Sequence, residues 1–244
     1  MKLIKILFCS VLIVSCQVDN QEDTDTETQA QSQTDTQTQT DTNTQSETNT
    51  QSETNTQSDT NTEVTSTERP NILLIIADDQ GIDASAQYSF SDDVPSTPNI
   101  DALADSGIVF ENAWATPACT TTRGSLISGL HGVNSGVDTV PDTLASSISS
   151  LQSIMNTGDD AYATAVIGKW HLSANGNNLT HPTDSGVGYY KGTITGTLSD
   201  YYDWTVTFEG EQTTSTNYHT TEITDYAIDW IDDQTQPWFM WLAY

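Results

Sequence analysis

The chain has 244 residues, of which 34 are acidic and only six are basic, and its formal net charge at pH 7 is −28. This charge argues against nucleic acid and anionic membrane surfaces as partners. An anionic substrate would need a local cation, such as a metal ion, at its binding site.

The pattern of the first 16 residues predicts an export signal. Lys2 and Lys5 precede the apolar run 6–14, which is too short for the roughly 20 residues that a membrane-spanning helix needs. The following Ser15-Cys16, with the two residues before it, resembles the bacterial lipobox. We therefore expect an exported lipoprotein with lipid on Cys16, anchored to a bacterial membrane; the alternative is a plain secretory signal cut elsewhere.

Residues 17–68 form a low-complexity segment rich in Thr, Gln, Ser, Asn and acidic residues. The hexapeptide Asn-Thr-Gln-Ser-Glu-Thr begins at Asn43 and again at Asn49, and it recurs at Asn55 with Asp59 replacing Glu. Such a segment has no apolar surface to bury and cannot offset the entropy lost on ordering. We expect a disordered tether between the lipid and a folded domain over residues 69–244.

The folded domain shows alternating strand and helix signals, which predict an α/β fold. The apolar run 71–77 is typical of a strand buried on both faces, and Thr97-Pro98 is a typical helix start. Residues 176–212 are rich in Gly, Thr and Tyr and predict loops, with a hairpin as an alternative. The predicted strands are 71–77, 109–115, 162–167 and 237–243, and the predicted helices are 98–107, 120–128, 143–156 and 221–232.

Chemically reactive side chains follow three of these strands. Asp78-Asp79 follow the first, Cys119 and Arg123 follow the second, and Lys169 and His171 follow the third. Ligands of open α/β sheets collect at the carboxyl ends of the strands, so the sequence predicts that these groups share one edge. Paired carboxylates suit a hard divalent cation. In isolation, the Asp-Asp pair and the Gly168–His171 segment would each be ordinary turns.

Cys119 lies immediately before the predicted helix 120–128. There the sulfur is close to unpaired backbone N–H groups and to the positive end of the helix dipole, which suits an activated nucleophile and an anionic substrate. With Cys16 lipidated and Cys9 removed with the signal, Cys119 is the single thiol of the exported domain, which excludes a disulfide framework. The alternative is a buried structural cysteine.

Taken together, these motifs resemble the type I sulfatases of the alkaline phosphatase superfamily. The resemblance covers about Pro70 to the last residue and is carried by the segments 78–81, 97–104, 119–126, 168–172 and 237–240. It implies an alkaline-phosphatase-like sandwich with a mostly parallel central sheet and helices on both faces. It also implies hydrolysis of sulfate esters, most plausibly of carbohydrates, in small-molecule or polysaccharide substrates.

The resemblance assigns a role to each of the candidate residues. Cys119 would be oxidised by the formylglycine-generating machinery, and the hydrate of formylglycine is the nucleophile of this family. Asp78, Asp79 and the modified Cys119 would bind a divalent metal, usually calcium. Arg123 would steady the hydrated aldehyde, and Lys169 and His171 would contact sulfate and nucleophile. We treat the other three histidines of the chain as non-catalytic: His131, His181 and His219.

Two features depart from the family pattern. The position two residues after the cysteine is proline or alanine in the family signature, but it is Thr121 here. The family also continues past the strand matching 237–243, with a Pro-His segment, an Asp-Asn pair and another lysine. We therefore expect an N-terminal sulfatase part with an incomplete metal site and its C-terminal part missing. Without that part we expect residues 69–244 to be poorly soluble and inactive on aryl sulfates, with Trp238–Trp241 partly exposed at an unpaired sheet edge.

Two further interpretations stay open at this point. The same design of metal and nucleophile would also serve a phosphate or phosphonate ester hydrolase. The chain could instead be a non-catalytic exported lipoprotein derived from a sulfatase gene.

Overall fold

A computed structural model describes residues 69–244; the predicted signal, lipidated Cys16 and tether lie outside the described residues. The strands are β1 (Ile72–Ile76), β2 (Ala163–Gly168), β3 (Tyr189–Gly192), β4 (Trp204–Phe208), β5 (Glu211–Ser215) and β6 (Trp238–Ala243). The helices are α1 (Pro98–Ser106), α2 (Cys119–Ser128), α3 (Gly132–Ser135), α4 (Leu151–Met155), α5 (His181–Asp184) and α6 (His219–Asp232), with a 3-10 turn at Ile82–Ala84.

The six strands form one sheet in the order β1-β6-β2-β3-β4-β5. The pairs β1–β6, β6–β2 and β2–β3 are parallel, whereas β3–β4 and β4–β5 are antiparallel. The β4–β5 connection is a hairpin in which Glu209 and Gly210 both have positive φ, as a tight twisted turn requires. The sheet is therefore mostly parallel, and the hairpin alternative for 176–212 is confirmed.

Successive residues of a strand point to opposite faces of the sheet, so the buried strands carry apolar side chains on both faces. Helices cover both of these faces. On one face, Val166 and Trp241 belong to a buried cluster that includes Ile127 of α2. On the other face, Met240 belongs to a second buried cluster, which includes Ile223 of α6. The predicted α/β architecture is confirmed. No helix within residues 69–244 combines the length and apolar character needed to cross a bilayer.

The burial of β6 corrects one expectation. Trp238, Phe239, Met240 and Trp241 are each at most 3% exposed, so the predicted exposure at a sheet edge is wrong. The strand order explains the difference: β6 does not extend the sheet but lies between β1 and β2. At its carboxyl end β6 approaches β2 so closely that a Cβ atom on Gly168 would lie 1.8 Å from the Ala243 carbonyl oxygen.

The predicted strand 109–115 does not form. The segment is irregular, and several of its apolar side chains are exposed, including Phe110 and Trp114, the latter at 92%. A strand needs a neighbouring strand to pair its backbone N–H and C=O groups. The edge strand β1 pairs only with β6 among the described residues, so the segment 109–115 has no strand partner there. The carbonyl of Phe110 instead accepts a hydrogen bond from the hydroxyl of Tyr88.

The predicted helix 143–156 is shortened to α4. Thr143 pairs as an isolated bridge with Ser173, and the Leu144 amide donates to the Leu172 carbonyl. These contacts hold the first part of the segment extended. The helix begins after Ser150, whose hydroxyl accepts from the Ser153 amide while the Ser153 hydroxyl accepts from the Ser150 amide. This reciprocal capping marks the true helix start.

His181 is a buried connector in the core. Its Nδ1 accepts from the indole N–H of Trp170, and its Nε2 lies 2.8 Å from the Leu144 carbonyl. The ring must therefore carry its proton on Nε2 and be neutral. Burial lowers its pKa below 6.5, although the Leu144 carbonyl and Asp184 oppose this shift. The treatment of His181 as non-catalytic agrees with this structural role.

We expect the chain to lose stability as the pH falls below about 6.5. The unfolded chain binds a proton at His181 more readily than the folded chain does, so the free energy of unfolding decreases as the pH falls from 6.5 towards the lowered folded-state pKa. His219, whose pKa burial also lowers, adds to this trend. The measurement is denaturant unfolding across this pH range.

In the His181→Gln variant the acid sensitivity should be weaker than in the wild type. His131→Gln, at an exposed histidine, is the matched control and should keep the wild-type pH profile. An unchanged profile in His181→Gln would show that His181 is not responsible for the effect.

Candidate active site

The predicted site residues come together at the carboxyl ends of β1 and β2. Asp78 follows β1, Lys169 follows β2, and Arg123 lies in α2. One carboxylate oxygen of Asp78 accepts from Arg123 Nη2 at 2.9 Å, and the other accepts from the Lys169 ammonium. All three side chains are largely buried. These two cations and one carboxylate carry a formal net charge of +1, before the exposed carboxylate of the neighbouring Asp79 is counted.

Arg123 is the most buried of these charged groups, with only 2% of the residue exposed. Its Nη1 donates to the Lys169 carbonyl at 2.9 Å, so one guanidinium bridges the ends of β1 and β2. A planar guanidinium suits two such directed contacts. The Arg123 Nε has no hydrogen-bond partner within residues 69–244.

Cys119 is the first residue of α2, and its Sγ lies 3.2 Å from Nδ1 of His171. The neighbouring Thr120 hydroxyl lies 3.3 Å from each ring nitrogen of His171. His171 has a positive φ of 55°, and so does Asp79, with 58°. Such backbone conformations are uncommon outside glycine and are concentrated at functional sites. The helix start thus brings the thiol against an imidazole.

These residues do not fit a metal ion on their own. Both oxygens of Asp78 contact cations, and Asp79 is exposed. Within residues 69–244, no group of three His, Cys, Asp or Glu side chains is arranged to hold a metal. Calcium binding by Asp78, Asp79 and Cys119 therefore stays a prediction that rests on the resemblance alone.

The comparisons with known proteins identify the family of the chain. The family model described as Sulfatase matches residues 70–244. The chain belongs to the sulfatase family. The predicted family is confirmed.

Among curated relatives, human steryl-sulfatase is 32% identical over 152 residues, which cover 57% of this chain and 26% of the relative. The N-acetylglucosamine-6-O-sulfatase of Bacteroides thetaiotaomicron is 28% identical over 177 residues, covering 71% and 30%. The chain thus spans less than one third of the length of these relatives.

Solved structures match over 72% of this chain. The complex of Ps i-CgsB with k-i-k-neocarrahexaose gives a TM-score of 0.62 at 25% identity and is covered to 45%. The complex of BT4656 with its substrate D-glucosamine-2-N,6-O-disulfate gives 0.60 at 26% identity and is covered to 34%. These neighbours support the alkaline-phosphatase-like fold predicted for the chain.

Sequence reasoning missed Gly196 as a site residue. A Cβ atom there would lie 2.2 to 2.5 Å from the ring atoms of His171, so the glycine backbone packs directly against the imidazole. Glycine permits such a close approach. In the sequence, Gly196 is a glycine in a Thr-rich segment. Nothing in that pattern indicates a contact with His171, 25 positions earlier.

We expect Gly196→Ala to displace the His171 ring and to slow alkylation of the Cys119 thiol by iodoacetamide. The added methyl group would collide with the ring, and loss of the imidazole contact removes a group that activates the thiol. The measurement is the alkylation rate of the Cys119 peptide by mass spectrometry in the unmodified protein.

Ser199→Ala, at an exposed position of the same loop, is the control and should react like the wild type. Equal rates for Gly196→Ala and the wild type would show that the ring keeps its place despite the methyl group.

Proposed function

We propose that this chain carries the sulfate-reacting part of a sulfatase that hydrolyses sulfate esters of carbohydrates. The observation that carries the proposal is the Cys119–His171 contact, with Sγ and Nδ1 3.2 Å apart, beside the Asp78–Arg123–Lys169 cluster. The names of the relatives support the substrate class, since they include a carbohydrate sulfatase and structures with a carrageenan-type oligosaccharide and a sulfated glucosamine.

The positive charge of the cluster supports a monoanionic sulfate ester as substrate. The chain as a whole carries a formal charge of −28 and would repel an anion at long range. The ammonium of Lys169 has three donors, and only one is needed for Asp78. Lys169 can therefore contact a sulfate oxygen while it stays paired, and its charge would offset the charge that develops on the transferring group.

The proposed nucleophile is formylglycine derived from Cys119. When hydrated, this group supplies a hydroxyl that attacks the sulfur and a second hydroxyl whose deprotonation expels sulfate. His171 Nδ1 lies at hydrogen-bond distance from the Cys119 side chain and is placed to accept or return a proton. The Thr120 hydroxyl holds the imidazole in this orientation. No step is assigned to a metal, because the described residues do not assemble a site for one.

We expect the full-length protein, made in a host that oxidises such cysteines, to release sulfate from an aryl sulfate. Cys119→Ala should abolish the release, because no other described residue takes the nucleophile position. His171→Ala should reduce kcat by roughly a hundredfold or more, the usual contribution of a positioned acid or base. Ion chromatography of released sulfate is the measurement.

An exposed-site substitution, Ser199→Ala, is the control and should leave the rate unchanged. Faster turnover of the corresponding aryl phosphate would replace the proposal with a phosphate ester hydrolase. No turnover of either ester would favour a non-catalytic lipoprotein.

Thr121 has a local role that the family residues at this position lack. Its hydroxyl donates to the Ala118 carbonyl at 2.9 Å and lies 2.5 Å from the Thr116 hydroxyl. Thr121 is the third residue of α2, and the first N–H groups of a helix have no acceptor within it. Proline should therefore be tolerated there.

We expect incomplete oxidation of wild-type Cys119 and more complete oxidation in Thr121→Pro, which restores the family signature read by the formylglycine-generating machinery. Peptide mass spectrometry distinguishes the aldehyde from the thiol. Ser125→Ala, one turn further along α2, is the control and should keep the wild-type level. Full oxidation of the wild type would show that threonine does not impair recognition.

We also propose export of the chain as a lipoprotein with lipid on Cys16. Several acyl chains anchor a protein stably, whereas one gives only marginal binding. Cys16→Ser should therefore move the protein from the membrane fraction to the soluble fraction, as measured by immunoblotting after centrifugation. Cys9→Ser is the matched control and should stay with the membranes. A membrane-bound Cys16→Ser variant would contradict lipid anchoring at this residue.

A further inference from the structure

Three exposed tyrosines lie together outside the Cys119 site: Tyr201, Tyr202 and Tyr218, which we call the tyrosine cluster. They are 54%, 62% and 42% exposed. The ring centroid of Tyr218 is 6.1 Å from that of Tyr201 and 5.2 Å from that of Tyr202, with an interplanar angle of 34° in both pairs. Exposed apolar patches on a folded surface indicate interaction sites.

The cluster is fixed to the fold rather than carried on a loose loop. The Tyr201 carbonyl accepts from the His219 amide at the start of α6, and the buried His219 ring contacts Tyr201 and Trp204 edge-on. The Tyr202 amide donates to the Asp200 carboxylate at 2.6 Å. Because the rings are already held in place, binding a ligand costs little conformational entropy.

The cluster is also tied to the Cys119 site by a short segment. Gly196 packs against the ring of His171, and Tyr201 follows it by five residues. Five extended residues reach at most about 18 Å. Tyr201 therefore lies within about 18 Å of Gly196, a distance that a few linked sugars can span.

The chemistry of the cluster favours a sugar ring without sulfate. Tyrosine rings offer flat apolar faces for the C–H surface of a pyranose, and their hydroxyls offer hydrogen bonds. The neighbouring carboxylates of Asp200 and Asp203 are exposed; they repel sulfate but accept hydrogen bonds from sugar hydroxyls. A surface of this kind selects neutral, hydroxyl-rich rings.

We propose that the tyrosine cluster is a carbohydrate subsite that binds an unsulfated sugar residue of the same polysaccharide whose sulfate ester reaches Cys119. The inference rests on the proposed function for the identity of the substrate as a carbohydrate. It assigns the cluster a binding role that needs no chemical step. Longer oligosaccharides gain affinity from the cluster, whereas single sulfated sugars do not reach it.

The test is isothermal titration of the full chain with neoagarohexaose, a neutral galactan hexasaccharide. The wild type should bind it, and Tyr202→Ala should weaken binding by roughly tenfold or more, as loss of an aromatic hot-spot contact does. Tyr202→Phe keeps the ring and should retain most of the affinity. Trp114→Ala removes an exposed aromatic side chain outside the cluster and should bind like the wild type.

No binding by the wild type, or equal binding by the wild type and Tyr202→Ala, would overturn the inference. Self-association that Tyr202→Ala abolishes, without hexasaccharide binding, would also overturn it and assign the cluster to a second copy of the chain. Because the probe carries no sulfate, binding is measured separately from sulfate release. Sulfate release without hexasaccharide binding contradicts only the subsite, whereas tyrosine-dependent binding without sulfate release contradicts the proposed hydrolase.

Discussion

The Asp78 carboxylate is the group on which the arrangement of the site depends. It pairs with Arg123 and Lys169, so the pairing joins three separate parts of the chain. Arg123 also donates to the backbone carbonyl of Lys169. Removing one partner from a buried ion pair leaves an uncompensated charge and is strongly destabilising. The cluster thus joins the ends of β1 and β2 to the start of α2. Cys119 and His171 meet because the elements that carry them are joined in this way.

The pairing also changes how the acidic pair after β1 is understood. A sequence shows that two carboxylates follow a strand, but it does not show what neutralises them. In the structure, Asp78 contacts both Lys169, which the resemblance assigns to sulfate, and Arg123, which it assigns to the hydrated aldehyde. In a chain with so few basic residues, two of them meet at one carboxylate. An arrangement of this kind keeps positive charge at the site in a protein that is negative almost everywhere else.

Much of the fold could be predicted from local patterns. The apolar runs of β1, β2 and β6, the proline start of α1 and the glycine after α2 all mark elements that the structure contains.

The predictions that were wrong concern segments whose conformation is decided by partners distant in sequence. Val109 and Phe110 suit a strand, but no strand within residues 69–244 pairs with them. Thr143 and Leu144 are held by the segment after His171. In the site, motif order identified Cys119, Lys169 and His171, whereas Gly196 is recognisable only from its contact with the imidazole.

The position of β6 between β1 and β2 constrains the order in which the sheet can be built. β6 follows β2 by about seventy residues, yet it supplies the backbone partners for the facing edges of both strands. During synthesis, β1 and β2 leave the ribosome with these edges open and cannot complete them until residues 238–243 have emerged. Pairing between strands so distant in sequence is slow, and open edges are prone to aggregation meanwhile. The hairpin of β4 and β5 contains only local contacts and can form during this interval, before β6 completes the centre of the described sheet.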